Sequence, residues 1–138
     1  MSIFGVEHLD IIDVLDKGSP NLERIAIYVK ENCDLRDYIL LIGHRNIDGS
    51  ATPIKDNMLW FGVAELNKGD WIFVYTAPGT TTIQPIDGTD SKLHSIHWGK
   101  DHTVFQNGGL VPMLCQLSGV AMPEIPQPLA HNKRLAAN

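Results

Sequence analysis

Hydrophobic and polar positions alternate in short segments along most of this chain, and few of the segments reach the length of a helix. Trp71-Ile72-Phe73-Val74-Tyr75-Thr76 is the clearest: Trp71, Phe73 and Tyr75 fall on one side and Ile72 and Val74 on the other. Apolar residues on both sides predict a strand covered on both faces. Tyr38-Ile39-Leu40-Leu41-Ile42-Gly43 is a short apolar run closed by Gly43, a length that suits a buried strand. Leu22 to Val29 fits two periods, because Leu22, Ile25, Ala26 and Val29 have helical spacing while Ile25, Ile27 and Val29 alternate, and Ser19-Pro20 is able to cap a helix. Its β-branched and aromatic content favours the strand.

Shorter apolar pieces fill the remainder. Ile3 to Leu15 fits strand or helix and ends in the turn formers Asp16 to Asn21. Leu59 to Gly62, Leu93 to Trp98 and Thr103 to Phe105 read as strand pieces, and Asn67-Lys68-Gly69-Asp70 as a turn. Gln106-Asn107-Gly108-Gly109 predicts a hairpin, since Asn-Gly supplies the positive φ values of a tight turn, with Leu110 to Leu117 as the return strand. Pro112 confines that strand to an edge or a bulge. His44 to Asn57 and Ala77 to Ser91 turn polar and read as long loops. About seven short strands at this spacing predict an all-β, immunoglobulin-like β-sandwich over residues 1–119. Residues 120–138, with prolines at 123, 126 and 128, read as an extended tail.

Length and composition sharpen this picture. A chain of 138 residues with 43% hydrophobic and 20% charged side chains fits one domain with its own core. The formal charge of −5 and the absence of a dense basic run argue against a nucleic-acid partner, which needs clustered cations. No apolar run approaches a membrane span, and Glu7, Asp10 and Asp13 interrupt the first residues where a secretory signal would be apolar. A cytoplasmic address is therefore expected. Cys33 and Cys115 lie far apart, form no CxxC motif and read as free thiols rather than a disulfide.

Several of these segments resemble the lamin tail domain family. The resemblance is carried by Leu9 to Val14, by Asn21-Leu22-Glu23-Arg24-Ile25-Ala26-Ile27-Tyr28 and by Asn32-Cys33-Asp34-Leu35-Arg36-Asp37-Tyr38-Ile39-Leu40. Further along it is carried by Phe61-Gly62, Leu66, Gly69-Asp70, Trp71 to Tyr75, His97-Trp98-Gly99 and Thr103 to Gly109. It spans about residues 9–118 and departs where Gly109-Leu110 replaces the acidic residue common after the hairpin glycine. The resemblance implies an immunoglobulin-like sandwich without chemistry of its own, used for protein interaction or targeting.

Candidate chemistry is thin. His94, His97 and His102 with Asp101 form the densest group of metal-capable side chains, which makes a metal-dependent hydrolase the enzymatic alternative. In a strand, however, His94 and His97 point to opposite faces, so no metal site is favoured; His97, Asp101 and His102 are the ligand set if one exists. His44-Arg45-Asn46-Ile47-Asp48-Gly49 imitates half a calcium loop but lacks the terminal carboxylate and reads as a turn. No nucleophile elbow or phosphate cradle occurs. The expectation is a binding module with no cofactor, whose partner is another protein or a second copy. His44, Asn46, Asp48, Trp98 and Lys100 are its candidate contact residues.

Overall fold

In the computed structural model, which describes residues 5–125, ten β-strands account for nearly all regular structure. They are β1 (Leu9–Leu15), β2 (Arg24–Val29), β3 (Cys33–Asp34), β4 (Tyr38–Arg45), β5 (Ala51–Trp60), β6 (Glu65–Leu66), β7 (Trp71–Tyr75), β8 (Thr82–Pro85), β9 (Lys92–His97) and β10 (Leu110–Gln116). One 3-10 turn, Leu35–Asp37, precedes β4 and is capped by the Asp34 carboxylate, which accepts from the Arg36 amide. The expected all-β sandwich is present. The segment after Gly119 has no strand or helix as far as Ile125, and the remainder of the expected tail lies outside the described residues.

Five strands in the order β1-β2-β7-β9-β8 make one layer and three in the order β10-β4-β5 make the other. Alternation sets the core between them. Ile25, Ile27 and Val29 of β2, Ile72 and Val74 of β7 and Ile96 of β9 pack in one cluster with Tyr38, Leu40 and Ile42 of β4. The small β3–β6 pair, with Leu35 and Leu66, closes the end near Val29, and Val104 and Phe105 close the other near Arg24. Trp71, Phe73 and Tyr75 lie on the outer face, half-covered by Tyr28, Arg24 and His97.

Three sequence expectations are corrected. His44 to Asn57 is not a long loop: β4 and β5 form a hairpin across a turn at Asn46–Ser50, with the Ser50 carbonyl accepting from the Asn46 amide at 2.7 Å. Its polarity misleads because β5 is an edge strand, where Pro53 is tolerated. Ala77 to Ser91 also contains a strand, β8, which is exposed at all four residues and pairs with β9. The Asp87 to Asp90 turn follows it as expected.

The third concerns the Asn-Gly hairpin. Thr103 to Phe105 is not a strand, and β10 pairs with β4, Leu110 against His44 through Gln116 against Tyr38. The amides of Val104 and Phe105 are taken instead by a buried carboxylate, Glu23, at 2.7 and 3.0 Å. Asn107 still turns the chain, its side chain accepting from the Gly109 amide. As Pro112 requires, β10 is an edge strand.

Candidate functional site

Two carboxylates lie inside the sandwich, each just before a core strand. Glu23 precedes β2 and Asp70 precedes β7; because those strands are antiparallel, the two acids sit at opposite ends. Glu23 is 1% exposed and accepts four hydrogen bonds, from the amides of Gly18, Val104 and Phe105 and from the Thr76 hydroxyl. Burial alone would raise its pKa, but the four donors together hold it below the ordinary carboxylate value. Asp70 accepts from the amides of Asn67 and Lys92, both at 2.9 Å. Every oxygen of both acids is thus engaged in holding loops to strands, which leaves neither free for proton transfer to a substrate.

The histidines separate as the strand geometry predicts. His94 points inward, 4% exposed, with Nε2 3.7 Å from Asp70 and without a hydrogen-bond partner. Burial lowers its pKa more than Asp70 raises it, so the ring is neutral at pH 7. His97 lies on the opposite face, stacked on Tyr75 with ring centroids 5.1 Å apart and covered by the backbone at Gly79. His102 is exposed and bonds only Asp101, at 2.6 Å. Among the described residues no three His, Cys, Asp or Glu side chains are gathered to hold a metal ion.

The five candidate contact residues fall into two groups. His44 lies near the end of β4, opposite Leu110, and Asn46 and Asp48 occupy the β4–β5 turn that follows, where Asn46 bonds Ser50 and Thr52, and Asp48 bonds Ser50. Lys100 lies over the Trp98 ring and donates to Asn57 Oδ1 at 2.7 Å, tying the loop after β9 to β5. That bond uses one of the three donors of the ammonium group. Beside it opens a cleft of about 520 Å³ lined by Asn21, Thr76, Pro78, Lys100, His102 and Thr103. Cys33 and Cys115 are free, and burial raises the pKa of each thiol, so neither is an activated nucleophile.

One surface escaped the sequence reading altogether. The outer side of the β10-β4-β5 sheet carries Ile39 and Leu41 of β4, Met58 and Trp60 of β5 and Val111, Met113 and Cys115 of β10. None of these joins the core cluster, whereas their inward neighbours Leu40, Leu59 and Leu114 do. Met58 is 57% and Trp60 51% exposed. An antiparallel sheet with one face on the core ordinarily turns polar residues outward; this one is apolar on both sides. Gly43, in the middle of the face, is roofed by Met113 and Ala51. The signal was already present in Tyr38 to Gly43, which is apolar at every position rather than at alternate ones.

Comparison with family models, with curated proteins and with solved structures gives no match. Nor is any helix among the described residues long and apolar enough to cross a membrane.

Proposed function

We propose that this chain is a non-enzymatic protein-interaction module, and that the outer face of the β10-β4-β5 sheet is where its protein partner docks. The observation that carries this reading is the uncharged, apolar row Ile39, Leu41, Met58, Trp60, Val111, Met113 and Cys115, which lies outside the core cluster, with Met58 and Trp60 exposed and the other five half-buried. Exposed contiguous apolar patches on small domains mark interaction sites. Trp60 is suited to anchor a contact: its indole N–H already donates to the Arg36 carbonyl at 3.0 Å, so covering the ring strands no donor. The resemblance to lamin tail domains supports the same class of function. The internal carboxylates, committed to loop attachment, and the dispersed histidines give a hydrolase reading no comparable support.

The test is a photo-crosslinking amino acid placed at Met58 in the full chain, expressed in its native cells, with Asp87 on the β8–β9 turn as the control position. A protein adduct at 58 and none at 87 is the expected outcome. Irradiation that yields no adduct at 58, or equal adducts at both positions, would overturn the assignment of this face.

A further inference from the structure

We infer that the occupant of this face is a second copy of the same chain, packed sheet to sheet about a two-fold axis that passes beside Leu41. The inference rests on the module reading above and adds the partner's identity and register.

Three features lead to it. The first is charge. The chain carries a formal −5, so two copies repel over most of their surfaces, yet the row from Ile39 to Gly43 and the residues paired with it on this face, Trp60, Met58 and Pro53 of β5 and Cys115, Met113 and Val111 of β10, contain no charged side chain. Along β4 charges appear only at the ends; on β5 the bulge between Pro53 and Met58 adds exposed Lys55 and Asp56 at the margin of the face. Asp37 immediately precedes β4, and Arg45 is its last residue; both are exposed, and neither has an ion-pair partner among the described residues. Leu41 lies midway between them. A two-fold axis perpendicular to β4 at Leu41 therefore brings Asp37 of each copy toward Arg45 of the other, so one registration satisfies both pairs at once. Such self-complementarity is what a closed, symmetric interface requires.

The second is packing. Leu41 is flanked by Met58 on β5 and Met113 on β10, so the axis passes through four methionines and two leucines. Methionine is flexible enough to fill the space where a surface meets its own image. Stacked sheets rotate by roughly 30°, a misalignment that the long Arg45 side chain accommodates at the ends of the strands.

The third is size. Strands of seven to ten residues present roughly 15 by 25 Å, below the area of a standard specific interface, so a weak, reversible association no tighter than micromolar is expected rather than a permanent dimer.

The experiment is sedimentation equilibrium of the purified full chain across a concentration series reaching about 100 µM, well above a micromolar constant. The wild type is compared with Asp37→Arg, Arg45→Asp and the double exchange. Each single reversal places like charges together twice per dimer and is expected to weaken association by about tenfold, while the double exchange restores it to within about threefold. Met58→Lys, at an exposed position, is expected to abolish association while circular dichroism and thermal midpoint stay at wild-type values. A wild type that remains monomeric throughout overturns the inference, as do single reversals without effect or a double exchange no better than the singles. In that event a crosslink from position 58 to a different protein leaves the module reading standing; only the lack of any specific adduct removes both.

Discussion

Replacing Glu23 by Gln is the sharpest test of how this sandwich is held closed. The substitution preserves shape and removes one charge. Glu23 Oε1 accepts from the Val104 amide at 2.7 Å and the Thr76 hydroxyl at 2.9 Å, while Oε2 accepts from the amides of Gly18 at 2.9 Å and Phe105 at 3.0 Å. Whichever way the glutamine amide is turned, its NH2 group faces two donors, and at least one of these is a main-chain amide that cannot turn away. A hydrogen bond to a charged acceptor contributes about 1.5–3 kcal/mol, and a buried orphaned donor costs about 1–3 kcal/mol, so the loss is expected near 4 kcal/mol. For a domain of this size that lowers the thermal midpoint by roughly 15 °C. Urea unfolding followed by tryptophan fluorescence measures it. The sign with pH is also fixed. The native pKa of Glu23 lies below its unfolded value, so the stabilisation is present above the unfolded pKa and is lost as pH falls through the folded one. The variant is expected to lack that part of the acid slope. A Glu23→Gln protein within about 1 kcal/mol of wild type at pH 7 would refute the argument, because two opposed buried donors cannot cost so little.

Two further outcomes follow from the same interior. His94 is held below its ordinary pKa by burial, so stability is expected to begin falling as pH drops below the unfolded histidine value, and the loss between there and the carboxylate range should shrink in His94→Gln; midpoints measured across that window check it. At Gly79 an added methyl would stand 2.4 Å from the His97 ring, itself stacked on Tyr75, so Gly79→Ala is expected to cost about 1–3 kcal/mol of overpacking, read as a lower urea midpoint with unchanged slope.

How much of this was legible in the sequence varies by element, for physical reasons. Strands β2 and β7 show in the chain through their alternating apolar inward residues and β4 through its unbroken apolar run, while β9 shows only through Leu93 and Ile96; the strand reading of Leu22 to Val29 agrees with the structure. Strands β5 and β8 do not show, since an edge strand with few buried positions carries the composition of a loop. The Asn107-Gly108 turn was correctly marked, but a turn says nothing about what its flanks pair with; here one flank goes to Glu23 and the other to β4. Glu23 and Asp70 were invisible as latches because their donors are main-chain amides, which have no sequence signature, and for Glu23 lie as many as 82 positions away. The apolar outer face was hidden because pattern reading assigns a fully apolar strand to burial on both sides. In the structure the second side lies outside the core and is only half-buried.

The pairing of β10 with β4 sets a schedule for the protein's birth on the ribosome. The earlier strand emerges first, and its final neighbour follows about seventy residues behind, which at ordinary elongation rates is roughly 4 to 14 seconds. During that interval Tyr38 to Ile42 offers an unsatisfied, greasy margin to any passing nascent chain. Completion of the fold waits on the arrival of its last strand.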